Sequence, residues 1–561
     1  MSAMMFIIKF LIVTICLIQI CVHSTLNDEI FNSVISTNQL PFEMPSFDQV
    51  LNSNKFVLAH YFKPFPLSID NKNPSQDYYS VNYLQPSGEG NKFIKQGGFL
   101  RVRPLPIFAP QNASNIYWKL TNMEKEVRMA IARGINGWSY DILSVKDIGN
   151  GTCFYKGTLC ELSIMLQAVK NVDSQSRFKV VLMPDMSSSL SLSDIVTIVK
   201  YLYNDTAIYR NGSKPVIAPF YAEGVSPIQW QSLLQNLTSD GFPILLLPTF
   251  LTISSKYINV EMYANISIGM GVWATVGVPT QGSSSIAYAS TVRNAKSNNS
   301  LLFWLGMMPQ TYKPKDCILY DSYNSLAYRN AWMSTLQTNA DIVHVATWND
   351  FSESGQLQPI TDLQNTTGNG FYDLTAYYAH WWRTGLQPTI IRDVVYYFYR
   401  KEATNAYAPN MGCNFTMGIS QSVSNQIEVL TFTTDQSILT IIIENSNYTF
   451  MINSSGINSF FIPLQAGKPN IQLWRNGINI ITVEGNHEIF ATNVGLPNGV
   501  LDLTYWSGST ASFITPSKSV NTFTSSNRNV GSSIVAISKC STHVNMFIPL
   551  FFVFIAILLI F

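Results

Sequence analysis

The feature that most restricts the fold is a rhythm between residues 55 and about 400, where short apolar runs alternate with helical patterns. Eight such runs occur: "KFVLAHY", "INGWSYDIL", "FKVVLMPDM", "KPVIAPF", "FPILLLPTF", "IGMGVWATVG", "SLLFWLGMMP" and "DIVHVATWND". They do not alternate apolar with polar residues, as a strand with one wet face does. Strands buried on both faces read in this way. Between several of them lie "EKEVRMAIARG", "ELSIMLQAVKNV", "LSDIVTIVKYLY" and "SPIQWQSLLQNL", with helical spacing, the first closing at Gly134. Eight strand units over this length predict an α/β chain with a (β/α)8 TIM barrel over 55–405, preceded by a lead-in over 25–54. An open, doubly wound sheet is the competing arrangement.

One connection breaks the rhythm. From residue 62 to about 122 there is no clear helix but much Pro, Gly, Tyr and Asn. Loops this long are usually functional or disordered. After the first strand of a barrel, this one is expected on the rim beside the site. Tyr78, Tyr79, Tyr83, Tyr117 and Trp118 then serve as stacking surfaces, and Arg101 and Arg103 bind hydroxyls or pair with acids. The plain alternative is a surface insertion that touches no ligand.

Past "DVVYYFYRKE" the character changes. "IEVLTFTT", "SILTIIIEN", "YTFMIN", "NSFFIPLQ", "IQLWRNG" and "INIITVEG" are β-rich runs split by turn residues, which predicts a C-terminal antiparallel β-sandwich over 410–515. With 561 residues the chain is too long for one core, so two domains agree with its length. Residues 516–533 have the composition of a Ser/Thr-rich stalk.

Both ends read as addresses. Residues 1–24 have Lys9, an apolar run and a small or polar close, the layout of a secretory signal peptide, with a signal anchor as the alternative. Residues 534–561 end in an uncharged apolar tail behind Gly531, Ser532 and Ser533, the layout of a GPI-attachment signal, with a tail anchor as the alternative. The expected setting is therefore extracellular, at the cell surface, with the membrane reached through a GPI lipid anchor. Outside these ends four cysteines remain, an even number that suits an oxidising compartment. Cys153 and Cys160 close a short loop and pair locally, and Cys317–Cys413 follows by elimination. Eleven sequons stand at Asn112, Asn150, Asn204, Asn211, Asn236, Asn265, Asn298, Asn365, Asn414, Asn447 and Asn453, and a lumenal route makes them usable for glycosylation.

The formal net charge is +1 and there is no basic run, which argues against nucleic acid as a partner. There is no CxxC pair, HExxH or phosphate loop, so no metal and no cofactor are expected. In a barrel, reactive residues sit just past the carboxyl ends of the strands. Those positions hold His60, Asp141 and Asp185 after the first three strands, Glu223 shortly after the fourth and Trp273 after the sixth. The eighth ends in Trp348, Asn349, Asp350 and Glu353. Each acid alone is more often a loop or helix cap; their clustering on one expected face is the signal. Acids with aromatics point to glycoside hydrolysis, which needs one carboxylic acid to protonate the leaving oxygen and a second carboxylate. A Ser-His-Asp site has no support, since GxSxG is absent and there are six His in all.

The segments "AHYF", "GINGWSYDI", "FKVVLMPDMSS", "KPVIAPFYAEG", "TWNDFSES" and "YYAHWWRTGLQPTIIRDVVYYFYRKE" occur in that order over 55–402. This series resembles glycoside hydrolase family 71, the α-1,3-glucanases or mutanases. "TWNDFSES" is similar to the family's W-N-D-x-x-E-S segment, and Gly355 stands where the family usually has His. The resemblance implies a (β/α)8 barrel with a β-sandwich behind it, and inverting hydrolysis of α-1,3-glucan. It puts the catalytic pair on Asp350 and Glu353 and makes Asp141, Asp185 and His60 candidates for substrate binding. Trp348 and Asn349 are expected to bind substrate from the rim. The sequence does not tell acid from base, but apolar Phe351 favours Glu353 as the acid and Asp350 as the base. A related hydrolase of another polysaccharide and a non-catalytic wall-binding protein are the competing readings.

Overall fold

The structure, a computed structural model, describes residues 31–511 except 107–108, 110–116, 146–159, 255, 257, 275–280, 297–299, 364–366 and 419–421. The expected signal peptide, stalk and GPI-attachment segment, Cys153 and four sequons (Asn112, Asn150, Asn298 and Asn365) lie outside the described residues. No helix among the described residues is long and apolar enough to cross a membrane.

Each of the eight apolar runs holds a strand. In order they are Phe56–Tyr61, Gly137–Ile142, Lys179–Pro184, Lys214–Ile217, a fifth in two pieces (Leu245–Leu246 and Thr249–Phe250), Gly269–Val272, Leu302–Met307 and Ile342–Val345. All pair in parallel. The first pairs with both the second and the eighth: Ala59 lies opposite Trp138 on one side and Val345 on the other. Leu245–Leu246 pairs with the fourth strand and Thr249–Phe250 with the sixth. The result is a mixed α/β structure around one curled parallel sheet. Inside the curl Leu58, Val181, Met183, Val216, Ala218, Leu247, Trp304 and Ile342 form a buried cluster. Their neighbours Val57 and Ala59 face the other way and are equally buried. Burial on both faces explains the unbroken apolar runs, and each large aliphatic side chain so buried contributes roughly 1.5–3 kcal/mol.

The helices cover the outer face. Leu192–Leu202 and Pro227–Ser239 each begin with a capping box, at Ser191 with Asp194 and at Ser226 with Gln229. Such a cap is worth roughly 1 kcal/mol. Tyr117–Ala132 and Gly370–Thr384 are joined by a buried ion pair between Arg133 and Asp373 at 2.9 Å.

Two four-stranded antiparallel sheets follow. One holds Val394–Tyr399, Gln426–Thr433, Gly456–Pro463 and Trp506–Ser509; the other holds Ser437–Ile443, Ser446–Ile452, Asn470–Arg475 and Ile478–Glu484. Ser437–Ile443 alternates buried and half-buried positions, the period of a strand packed on one face. Val395, Tyr397, Ile427 and Val429 of the first sheet share one buried cluster with Leu439, Ile441, Ile471 and Leu473 of the second. Val394–Tyr399 belongs to this antiparallel part although it precedes the change of composition near residue 410; its aromatic run reads equally well as the end of what comes before.

The long connection after the first strand builds a small core of its own. Phe65, Tyr79, Leu84, Leu100 and Val102 pack with Phe351, Ile360 and Trp506. After the seventh strand, Thr311–Lys313 and Ile318–Tyr320 form an antiparallel hairpin. Ile318–Tyr320 also pairs in parallel with Thr416–Met417, beside the Cys317–Cys413 disulfide. Cys160 is disulfide-bonded as well.

Candidate active site

The carboxyl ends of the strands surround a cavity of about 610 Å³. Its wall holds His60 from the first strand, Asp141 from the second, Asp185 after the third and Phe220 after the fourth. Leu251 follows the fifth, Trp273 the sixth and Met308 the seventh, and after the eighth come Thr347, Asp350 and Glu353. Six of the expected site residues therefore share one wall: His60, Asp141, Asp185, Trp273, Asp350 and Glu353.

The segment after the eighth strand is folded back on itself. Thr347 donates its N–H to the Gly355 carbonyl at 2.9 Å, Gly355 donates to the Asp350 carbonyl at 3.1 Å, and Trp348 donates to the His60 carbonyl at 2.7 Å. The Asp350 N–H is satisfied by Thr347 Oγ1 at 2.7 Å. Asp350 is 9 % exposed, and its Oδ1 accepts from the N–H and hydroxyl of Ser352 at 2.9 and 2.7 Å. Burial, and then the charge of Glu353, outweigh those bonds and push the Asp350 carboxyl up to about 7. Glu353 is more open and lies 2.6 Å from Lys313 Nζ. Phe351 turns away into the small core of the long connection, against Phe65. The deeper burial thus falls on Asp350 and not on Glu353.

Asp141 is 3 % exposed, and its Oδ2 has no hydrogen-bond partner. Burial, followed by the charges of Asp185 and Asp350, raises it well above the usual carboxylate range, with Lys63 opposing. His60 Nε2 lies 4.0 Å from Asp141 Oδ1, a distance that makes an ion pair only if the ring is protonated. Burial and the neighbouring His344 hold His60 well below its ordinary value, so the contact is between a neutral ring and a carboxyl group. Asp185 is anchored by the N–H and hydroxyl of Ser187 at 2.8 and 2.6 Å. Trp273 packs edge-on against His60 and Phe220, with ring centroids 4.7 and 4.6 Å away.

Three expected residues do not line the cavity. Trp348 is fully buried; it packs on Trp138 and donates Nε1 to Glu126 at 3.3 Å. Asn349, also fully buried, accepts from the Phe62 N–H and donates to the Phe65 carbonyl, both at 2.7 Å. Both hold the rear of the segment instead of facing a ligand. Glu223 accepts the Leu251 N–H at 2.9 Å and stands behind that residue. Four of the expected stacking aromatics of the long connection lie away from the cavity too. Tyr79 and Tyr83 belong to its core, Tyr78 bonds Glu89, and Trp118 lines a separate cavity of about 170 Å³. Arg103 pairs with Asp77 at 2.5 Å and lies over the Tyr79 ring. Among the described residues of that connection, Phe62 alone reaches the main cavity.

Sequence reasoning missed two residues. Lys313 stands on the hairpin after the seventh strand, well past the apolar run that marks that strand in the sequence. Glu126 is fully buried on Tyr117–Ala132, where it accepts from Tyr61 Oη at 2.9 Å as well as from Trp348; burial pushes it up to about 8. Its signal was an acid set between apolar Met123, Val127 and Ala130 on the inner stripe of that helix.

A second cavity, of about 580 Å³, is lined in part by Arg101, Asp362, Lys401, Lys468, His487 and Asp502. Its cations are already matched: Lys401 with Asp502 and Lys468 with Glu484, each at 2.8 Å, and Arg101 with the carbonyls of Gln96, Gly97, Gly98 and Leu501.

Against known families, residues 112–518 match glycosyl hydrolase family 71. The chain belongs to glycosyl hydrolase family 71. The match starts after the first strand and runs through the antiparallel sheets, further along the chain than the motifs over 55–402. Among curated members of related sequence, the glucan endo-1,3-alpha-glucosidase of Schizosaccharomyces pombe is 23% identical over 386 residues, which cover 64% of this chain and 85% of that protein. The ascus wall endo-1,3-alpha-glucanase of the same yeast is 23% identical over 249 residues, covering 43% of this chain and 54% of the other. Among solved structures, the GH99 endo-alpha-mannosidase from Bacteroides thetaiotaomicron aligns with a TM-score of 0.44 at 15% identity, over 58% of this chain and 97% of that one.

Proposed function

We propose that this family 71 glycoside hydrolase cleaves α-1,3-glucan with inversion, Asp350 being the general acid and Glu353 the general base. One observation carries the assignment: two neighbouring carboxyl groups on one cavity wall have opposite surroundings. Asp350 is buried and retains a proton up to about pH 7, whereas Glu353 faces Lys313 at 2.6 Å. Such a split assigns donor and acceptor. Asp350 gives its proton to the glycosidic oxygen as the C1–O bond breaks. Glu353 takes a proton from a water whose oxygen attacks C1 from the opposite face. The two protons and the new hydroxyl balance the cleavage, and the next turnover needs only their return through solvent. An inverting pair leaves room for that water, at a separation of roughly 6.5–9.5 Å.

In this reading Asp141, Asp185 and His60 bind sugar hydroxyls. Asp141, kept protonated by burial, offers both a donor and an acceptor, and Trp273 offers a ring face. Trp348, Asn349 and Glu126 support the segment from behind. The curled sheet is read as a closed (β/α)8 barrel over 55–405, with residues 245–250 bridging its fourth and sixth strands, and the two antiparallel sheets as a sandwich over the following residues. The protein is read as secreted and held at the cell surface through a GPI anchor. The sequons at Asn204, Asn211, Asn236, Asn265, Asn414, Asn447 and Asn453 are all exposed, as glycosylation requires.

Incubation with a panel of insoluble α- and β-glucans tests the substrate. Release of α-1,3-linked oligosaccharides from α-1,3-glucan alone is expected. Release from a mannan or a β-glucan instead would replace the substrate and leave the carboxylate assignment standing. Release of the protein from membranes by a phosphatidylinositol-specific phospholipase tests the anchor.

A further inference from the structure

The hairpin over residues 311–320 meets the site at several points. Tyr312 donates its backbone N–H to the Glu353 carbonyl at 2.9 Å, and Lys313 Nζ lies 2.6 Å from Glu353 Oε1. Lys315 and Tyr320 line the same cavity. The hairpin thus holds Glu353 by both main chain and side chain. Its other side is fastened to the C-terminal part of the chain. Cys317 is bonded to Cys413, and Ile318–Tyr320 pairs with Thr416–Met417. Tyr312 Oη donates to the Leu501 carbonyl at 3.0 Å, and Gln310 bonds the Tyr505 main chain through Oε1 at 2.8 Å and Nε2 at 3.3 Å.

An exposed Lys–Glu pair on mobile chains contributes little, because ordering two long side chains offsets the attraction. Here the ordering has been done in advance. Lys313 is three-quarters buried, a backbone hydrogen bond and pairing with Ile318–Tyr320 fix the strand that carries it, and a disulfide at Cys317 ties down the adjoining turn. The charges around it make the need plain. Asp141, Asp185, Asp350 and Glu353 face one cavity, His60 is neutral, and Lys313 and Lys315 are the cations among the described lining residues.

We propose that Lys313 is a positioning residue for hydrolysis, holding the Glu353 carboxylate in place by an ion pair, and that the Cys317–Cys413 tether keeps Lys313 there. The inference rests on Asp350 and Glu353 being the reacting pair. Lys313 opposes the rise of Asp350, so removing the cation disfavours ionisation of that carboxyl group further. The alkaline limb of the pH–rate profile therefore moves to higher pH, by about one unit. Loss of fixed geometry lowers kcat on the order of 10- to 100-fold with less effect on KM.

The test compares Lys313→Met, Lys313→Gln and Lys313→Arg with the parent on solubilised α-1,3-glucan, reading kcat, KM and the alkaline limb, with a thermal melt for each. The neutral variants are expected to shift that limb upward and lose kcat, and Lys313→Arg to restore both. Either neutral variant that melts like the parent and keeps its kcat and its alkaline limb overturns the inference. The double variant Cys317→Ser/Cys413→Ser should lower kcat in the same way; parent values there overturn the part assigned to the tether. Glu353→Gln separates the two levels. If it is inactive while Lys313→Met is unchanged, the inference alone fails. If it is fully active, the reacting pair is wrong and the inference falls with it.

Discussion

The two large cavities differ little in size, about 610 against 580 Å³, yet their cations and carboxyl groups are matched differently. In the second, each lysine and arginine among the lining residues has found an anion or a set of carbonyls, although His487 Nε2 lacks a hydrogen-bond partner and burial pushes that ring down to about 3. In the first, four carboxyl groups face two cations, Asp141 Oδ2 has no partner, and Asp350 is pushed up to about 7. Burying carboxyl groups that are not fully matched costs stability and persists where something other than stability is served. The contrast separates chemistry from architecture better than cavity volume does.

The largest break in this contrast is expected at the pair itself. Asp350→Asn and Glu353→Gln should each lower kcat by about two to four orders of magnitude on α-1,3-glucan, without lowering the melting temperature. An unchanged rate in either variant removes that residue from the pair. The second cavity should answer in the opposite currency. Lys401→Met leaves Asp502 charged, 4 % exposed and without its 2.8 Å partner, which should destabilise the fold by roughly 3 kcal/mol while kcat stays at the parent value. Denaturant unfolding with parallel kinetics checks both halves.

The pH dependences should diverge as well. Burial works against the Asp502 carboxylate, but Lys401 and Arg101 overcome it and hold its folded value below the ordinary one. A depressed carboxyl contributes stability above its unfolded value, and that stability drains away as pH falls through the folded value, here below about pH 4. Asp350 is shifted the other way, so activity should fall as pH rises through about 7, where the fold is still stable. Coincident loss of activity and structure on a pH titration would undo the distinction. The smallest expected effect lies on the aromatic wall of the first cavity. Trp273→Ala should raise KM about tenfold and alter kcat less, since the ring offers a face and takes no proton.

Much of the scaffold was legible because burial on both faces leaves unbroken apolar runs, and each of the eight became a strand. The ends of those strands then named His60, Asp141, Asp185, Trp273, Asp350 and Glu353, which share one wall. Past the last strand residue the two-residue period no longer fixes direction. That is why Trp348 and Asn349, read as facing the ligand, turned inward to Trp138 and to the main chain at Phe62 and Phe65. Tyr79 and Tyr83 misled for a related reason. A long segment without a regular helix must bury something of its own, and its aromatics were used for that. Lys313 was hidden because its partner lies 40 residues away, joined through a hairpin and a disulfide that local pattern does not reveal.

The central claim is the division of labour between Asp350 and Glu353, and an activated leaving group tests it most directly. Fluoride departs from an α-1,3-linked oligosaccharyl fluoride without being protonated, so a missing general acid matters little while a missing base still matters fully. The account predicts that Asp350→Asn regains most of the parent rate on the fluoride while remaining crippled on glucan, and that Glu353→Gln stays crippled on both. Recovery in Glu353→Gln and not in Asp350→Asn would reverse the roles and contradict the account.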